Sequence, residues 1–267
     1  MSSLTEHTEP TEPTGHTEHT KHTGLTGRTA LVTGGSRGMG AAIALRLAQE
    51  GADVAITYVH GEAAANEVVT KIQAMGQRAF AIRADAADAG DAAGAVDRAA
   101  DDLGGLDILV NNAGIGVLGP VTDLSLADID RVLAVNVRGV FLASQTAATR
   151  LRDGGRIITI GSCMAQRVPG PGGTLYATSK AALIGLNKAL ARELGGRRIT
   201  ANLVQPGPID TDMNPANGPF ADAQSAMTAL GRFGSATEVA SLVGYLAGDD
   251  AAYITGTELS VDGGHAA

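Results

Sequence analysis

From Thr29 to Val261 the chain switches again and again between two hydrophobic periods, and this alternation restricts the fold more than any other feature. Continuous apolar runs rich in β-branched residues read as strands: TALVT (29–33), DVAITYV (53–59), RAFAIRAD (78–85), LDILVNN (106–112), GRIITIGS (155–162), RITANLVQ (198–205) and a last one near 257–261. Between them lie stretches with helical spacing at 40–51, 62–76, 88–104, 125 to about 150, 174–195 and 236–247. Strands separated by such helices join as βαβ units, which gives a parallel sheet covered on both faces. The runs are unbroken rather than alternating, as doubly buried parallel strands require.

No break in composition divides the alternating region, so one domain spanning residues 27–267 is expected. Aromatic residues make up 3% with no Trp, so the core must be packed from Ala, Val, Leu and Ile. A formal charge of −8 argues against a general nucleic-acid surface, which needs clustered excess Lys and Arg. No apolar run reaches the roughly 20 residues of a membrane helix, and the first 26 residues lack the apolar stretch of a secretory leader. Cys163 is the single cysteine, which excludes an intrachain disulfide and points to a reducing, cytoplasmic setting. From Thr5 to Thr29, threonine recurs at every third position, with Pro10, Pro13 and almost no apolar side chains. Such a segment buries too little to offset ordering entropy, so residues 1–26 are expected to form a disordered tail. His7, His16, His19 and His22 could chelate a metal there; a solvated tail is the stronger reading, and no metal site is expected.

TGGSRGMG (33–40) lies where the first strand hands over to the first helix. An open α/β sheet holds a dinucleotide pyrophosphate at that point, against helix N-terminal N–H groups. Gly34, Gly38 and Gly40 allow a tight turn, close backbone approach and close helix–sheet packing. An NAD site carries an acid at the end of the second strand; here Thr57, Tyr58, Val59 and His60 provide none, and Arg37 sits in the glycine loop. A cation without an opposing anion favours NADP(H). A merely solvated Arg37, with NAD in the site, is the alternative.

In LYATSKAAL (175–183), Tyr176 and Lys180 are one helical turn apart on the same face. A phenol titrates near about 10, and an adjacent ammonium favours its ionised form, so the pair is suited to moving a proton. Ser162, at the end of its strand, can donate to a developing oxyanion, and Asn136 lies on the long preceding helix. Singly, each has a plainer reading: an amphipathic tyrosine, a solvated lysine, a strand-end cap, a polar helix residue. Together with the glycine loop they read as one site. Cys163 reads as a small buried residue.

TGGSRGMG, NNAG (111–114), Asn136 in AVNVRGVF, Ser162, YATSK (176–180), PGPIDTDM (206–213) and LSVDGG (259–264) occur in an order that resembles the classical short-chain dehydrogenase/reductase family. The likeness covers residues 25–264 and is nearest to its 3-oxoacyl-[acyl-carrier-protein] reductases. It implies an α/β, Rossmann-like doubly wound parallel sheet of about seven strands. It implies that Gly34, Gly35, Ser36, Arg37, Gly38, Met39 and Gly40 surround the cofactor phosphates and adenosine ribose. Thr57 and Tyr58 would lie near the 2′ position, Asp85 and Ala86 beside the adenine, and Asn112, Ala113 and Gly114 beside the ribose. Pro206, Gly207, Ile209 and Thr211 would face the nicotinamide end. Asn136, Ser162, Tyr176 and Lys180 would form a catalytic tetrad, with Tyr176 and Lys180 also touching cofactor and Asn136 linked to Lys180 through water. The segment from Ser162 to Tyr176 is one residue longer than in those reductases, a departure expected to alter the pocket more than the chemistry.

Residues 207–235 have the composition of a mobile lid, with Met213, Phe220 and Met227 as apolar contacts; Val117, Leu118, Met164 and Val168 would complete an apolar pocket for a small carbonyl or alcohol substrate. Three functions are carried: an NADP(H)-dependent ketone reductase, a 3-oxoacyl-[acyl-carrier-protein] reductase of fatty-acid synthesis, and a non-catalytic dinucleotide sensor. The second would need a basic patch for an acidic carrier protein, and Arg150, Arg152, Arg156, Arg192, Arg197 and Arg198 are candidates. Two long Ala-rich helices, as the resemblance implies, would pack against other subunits in a homotetramer.

Overall fold

In the computed structural model, which describes residues 24–267, the apolar runs become neighbours in one seven-stranded sheet. In chain order the elements are β1 (Thr29–Val32), α1 (Gly38–Gln49), β2 (Asp53–Tyr58), α2 (Glu62–Ala74), β3 (Ala79–Arg83), α3 (Ala89–Leu103), β4 (Leu106–Asn111), α4 (Leu126–Leu133), a π-helical stretch Ala134–Gly139, α5 (Val140–Arg150), β5 (Leu151–Ile160), α6 (Thr174–Leu194), β6 (Thr200–Pro206), β7 (Ile209–Asp210), α7 (Ala221–Ala226), β8 (Gly234–Ser235), α8 (Ala236–Ala247) and β9 (Glu258–Val261). The sheet order is β3-β2-β1-β4-β5-β6-β9, and every pairing in it is parallel. The strand order reverses between β1 and β4, and the crevice at such a reversal is where an open α/β sheet holds its ligand.

The two faces of the sheet carry separate cores. Ile43, Leu47, Val68, Ile72, Val239 and Val243 from α1, α2 and α8 pack on Val54, Ile56 and Val110. On the other face Val96, Leu103, Ala143 and Ala147 from α3 and α5 pack on Leu31, Leu109 and Ile157. Small alanines at these contacts do the work that aromatic residues do in other cores, by letting helices lie close to the sheet. Side-chain caps fix several helix starts: Asp88 accepts from Asp91 N–H, and Ser125 with Asp128 and Ser235 with Glu238 form reciprocal capping boxes.

Four features differ from the reading of the sequence. The helix expected over 125–150 is interrupted by the π-helical stretch around Asn136, an insertion that a 3.6-residue period does not reveal. β5 begins at Leu151 rather than near residue 155: Leu151 pairs with Leu106, the register then shifts, and Gly154 absorbs the bulge at φ 82°. The lid segment contains α7, and its two ends are joined by the parallel pair of β7 and β8. Leu25, assigned to the tail, is fully buried with its N–H on Glu50 O at 2.9 Å, so the packed chain includes residues before Arg28. The tail histidines lie outside the described residues.

Candidate active site

At the switch point a cleft of about 320 Å³ opens over the C-terminal ends of β1, β2, β3 and β4. Its floor is the glycine loop. Gly34 takes φ 64°, and a Cβ there would stand 3.1 Å from Ala113 Cα. A Cβ on Gly40 would overlap the Gly34 carbonyl and come 2.5 Å from Asn112 Nδ2. That amide nitrogen donates to Thr33 O at 2.9 Å and Gly34 O at 3.0 Å, while Thr33 Oγ1 accepts from the N–H groups of Asn112 and Ala113. The NNAG segment thus braces the loop from the neighbouring strand. Arg37 caps α1 without a side-chain hydrogen bond, which leaves the first-turn N–H groups facing the cleft as an anion seat.

Most of the residues expected to hold a dinucleotide meet here: Gly34, Ser36, Arg37, Gly38, Met39, Gly40, Thr57, Tyr58, Asp85, Ala86, Asn112, Ala113, Gly114 and Thr211 all line the cleft. Six others do not: Tyr176 and Lys180, described below, and four more. Gly35 faces inward, where a Cβ would press on Ile56, and Gly207 is closed over by Asp262. Pro206 ends β6 in the interior, and Ile209 is buried beneath Gly234. Thr57 has a structural task as well: its hydroxyl accepts the Gly34 N–H at 2.9 Å. Met213, expected as an apolar contact of the lid, lines the cleft, and His60, Arg131 and Asp212, which the sequence reading did not assign to the cofactor, line it too. Arg131 donates to Asp85 at 3.1 Å, and Arg37 stands 4.0 Å from Asp212. Burial alone would raise the Asp85 pKa, but the Ala87 N–H and Arg131 reverse that and hold it below its ordinary value. No signal in the sequence tied Arg131 to Asp85, because only the fold brings α4 over β3.

The fit to a phosphorylated nicotinamide dinucleotide is good on these observations. Gly34 and Gly40 let the loop fold tightly against Asn112 and Ala113 beneath the cleft, the helix terminus supplies donors, and the end of β2 carries Tyr58 and His60 rather than a carboxylate.

Near Gly114 and Gly116 lies the candidate chemistry. A Cβ on Gly114 would lie 3.3 Å from Lys180 Nζ and 3.5 Å from Asn136 Oδ1; one on Gly116 would touch the Tyr176 ring at 3.9 Å. The Ser162 side chain lies close enough to the Tyr176 hydroxyl to favour its ionised form. Lys180 is buried, its Nζ donates to Ile160 O at 3.0 Å, and it sits 5.8 Å from the centre of the Tyr176 ring. Asn136 is fully buried: Oδ1 accepts from Ile115 N–H at 2.9 Å, and Nδ2 donates to Ile115 O at 2.9 Å and Ser179 Oγ at 3.0 Å. Asn136 therefore ties the π-helical stretch to the cleft wall and to α6. Cys163 is buried, and burial pushes its thiol up to about 11, which makes it inert at neutral pH.

One electrostatic expectation is corrected. The ammonium of Lys180 was expected to lower the phenol of Tyr176. Burial instead raises the Tyr176 pKa above its ordinary value, with the Ser162 side chain opposing. Burial also lowers Lys180 to about 8. Desolvation of both groups outweighs an attraction acting across the ring face.

The arginines proposed for carrier-protein docking do not surround this cleft. Arg152 and Arg156 lie in the first part of β5, and Arg197 and Arg198 precede β6, so all four sit towards the N-terminal ends of strands, at the opposite edge of the sheet from the cleft. Arg156 is buried, Arg150 pairs with Asp97 and Asp101, Arg152 with Asp107, and Arg197 with Asp153. At the cleft Met213 is 67% exposed, and elsewhere Leu118, Phe220 and Val168 are exposed apolar residues too.

Comparison with known proteins agrees with this geometry. A family model described as Enoyl-(Acyl carrier protein) reductase matches residues 34–266. The chain is 45% identical to the cyclic-di-GMP-binding biofilm dispersal mediator protein of Escherichia coli, over 88% of this chain and 96% of that one. It is 40% identical to a 3-oxoacyl-[acyl-carrier-protein] reductase of Staphylococcus aureus, over 89% of this chain and 97% of that one. It superposes with a TM-score of 0.91 and 57% identity on a short-chain dehydrogenase from Burkholderia cenocepacia in complex with NADP, covering 91% of this chain and 100% of the other.

Proposed function

The chain belongs to the short-chain dehydrogenase/reductase family, and on that footing we propose that it is an NADP(H)-dependent oxidoreductase that interconverts a ketone and a secondary alcohol. The observation that carries this reading is the nearness of the two halves: Gly114, in the lining of the cleft that holds the glycine loop and Arg37, would set a Cβ 3.3 Å from the buried Lys180 Nζ, and Lys180 lies 5.8 Å from the centre of the Tyr176 ring. The NADP complex of the Burkholderia relative supports the choice of cofactor.

When bound, the nicotinamide supplies the hydride. The residues of this chain do the rest. Tyr176 keeps its proton through neutral pH because its pKa is raised, which is the form that can give a proton to a carbonyl oxygen. Ser162, close enough to that hydroxyl to favour its ionised form, would donate to the oxygen as negative charge develops. Below about pH 8 Lys180 is cationic, and its charge stabilises the phenolate left behind. Asn136 holds the cleft wall at Ile115 against α6. Gly119 N–H, bonded to Gly172 O at 2.9 Å, joins the loop after β4 to the loop before α6 and closes the pocket side.

A second reading, reduction of a 3-oxoacyl thioester, is supported by the Staphylococcus aureus relative. The exposed Met213 at the cleft suits the acyl chain of such a substrate, while the distant, paired arginines give no support to docking of an acidic carrier at that patch. A non-catalytic dinucleotide sensor, prompted by the Escherichia coli relative, would use the same cleft without needing Tyr176. We further propose a cytoplasmic homotetramer; Leu126 and Phe141, 72% and 51% exposed on α4 and α5, support a face covered by another subunit.

The test is turnover of ketones and 3-oxoacyl thioesters with NADPH and with NADH, followed by absorbance, for the native chain and Tyr176→Phe. The substitution should cost at least 100-fold in kcat, on the order expected for a lost general acid, and leave NADPH binding unchanged. Near-native turnover by Tyr176→Phe would refute the reductase reading. Light scattering that gives the mass of one chain would refute the tetramer.

A further inference from the structure

The β5–β6 ladder ends in an unusual way. Gly161 N–H donates to Val204 O at 2.7 Å, as a parallel ladder requires. The next N–H, that of Ser162, goes instead to a side chain: Gln205 Oε1 accepts it at 2.7 Å. Gln205 is fully buried on β6. Its Nε2 donates to Glu258 Oε2 on the edge strand β9 at 3.4 Å, and Glu258 Oε1 lies 3.3 Å from Lys188 Nζ on α6. Gly161 leaves room for this amide, because a Cβ there would overlap Gln205 Oε1.

Two demands determine the residue type. A buried N–H needs an acceptor, and the Glu258 carboxylate needs a donor. An amide meets both demands, a carboxylate only the first, and a hydrocarbon neither. Ser162 is held extended at φ −167° and ψ 145°, and from that pose its Oγ accepts Met164 N–H at 3.2 Å and lies close enough to the Tyr176 hydroxyl to favour its ionised form.

We infer that Gln205 is a positioning residue for the reaction: by gripping the Ser162 backbone N–H, it sets the direction from which Ser162 Oγ meets Tyr176 and the substrate oxygen. The Glu258–Lys188 pair keeps the amide the right way round. This role rests on the reductase reading of Ser162 and Tyr176. It extends that reading to a residue outside the tetrad and outside the cleft lining.

The test uses the full chain with NADPH and a 3-oxo ester, together with an NADPH fluorescence titration and hydrogen exchange of the segment that contains Ser162. Q205L should lower kcat by about 10- to 100-fold, the scale of a small misplacement of a reacting group, and leave NADPH affinity within about twofold. It should also speed exchange of the Ser162 amide by more than about tenfold, a readout that does not depend on turnover. Q205E sets two carboxyl groups face to face. It should retain activity at acid pH, where they share a proton, and lose it as pH rises and the proton leaves, a limb the native enzyme lacks. Q205E/E258Q reverses donor and acceptor and should remove that limb. Native kcat and native exchange in Q205L, or a native pH profile in Q205E, would overturn the role of Gln205. If Tyr176→Phe abolishes turnover while the Gln205 variants match the native enzyme, this inference alone fails. If Tyr176→Phe keeps turnover, the reductase reading fails and takes the inference with it.

Discussion

Lys180→Met should make the protein more stable while destroying its activity. In the native fold the amine is buried, and its pKa falls from 10.5 to about 8 because the charged form is poorly solvated. That fall corresponds to about 3 kcal/mol of penalty on the charged form at neutral pH, since the unfolded chain carries the same charge in water at no cost. Methionine has a similar length and no charge. It forfeits the hydrogen bond from Nζ to Ile160 O, worth about 1 kcal/mol, so the net gain is about 2 kcal/mol at pH 7. The sign has a pH signature. Between pH 8 and 10.5 the unfolded chain holds more protons on this group than the folded one, so native stability attributable to Lys180 rises with pH across that window. The advantage of Lys180→Met should therefore be full below pH 8, fall to about half near pH 9, change sign near about pH 10, and become a deficit of about 1 kcal/mol above 10.5, where only the lost hydrogen bond remains. Urea unfolding of both proteins from pH 7 to 11 measures the difference directly and cancels the other titrating groups. A variant less stable than the native chain by more than about 1 kcal/mol at pH 7, or a difference that does not change with pH, would refute the argument.

Other substitutions probe the cleft and the packed start of the chain. Gly40→Ala drives a Cβ into the Gly34 carbonyl and the Asn112 amide; it should cost about 2–3 kcal/mol in urea unfolding and weaken NADPH binding at least tenfold by fluorescence titration. Arg37→Ala should weaken NADPH by roughly tenfold and NADH by less than about twofold, because only the former carries the extra phosphate. Leu25→Ala, at a fully buried position, should lower stability by about 2–4 kcal/mol, whereas a solvated tail would leave the unfolding midpoint unchanged.

The sequence revealed what periodicity and local chemistry encode. The strands were readable because each is a short apolar run with helical spacing on either side, and the glycine loop because it falls between a strand and a helix. Tyr176, Lys180 and Ser162 could be named because their types suit proton transfer, and the fold brings Tyr176 close to both Ser162 and Lys180. What escaped depends on contacts between distant segments. The π-helical turn at Asn136 leaves no mark in a 3.6-residue pattern. Arg131 meets Asp85, and Gln205 meets Ser162, only because the topology sets α4 over β3 and β6 beside β5. The electrostatic error had the same root. Spacing says that a lysine is near a tyrosine, but only the packed interior says that both have been taken out of water. The arginines likewise look like one patch as a string, yet the strand directions send them to the far edge.

The two-residue pairing of β7 with β8 has an evolutionary consequence. It clasps the segment between residues 211 and 233 at its base, so that stretch leaves the sheet and returns to it at nearly the same point. Replacement of its middle, beyond the cleft-lining Thr211, Asp212 and Met213 and short of Thr228, Ala229 and Leu230 that pack on Gly263 and Gly264, need not disturb the strands. Natural variation can then re-tailor which molecules are accepted while the reacting core is inherited intact, and a protein engineer can graft there as into a socket.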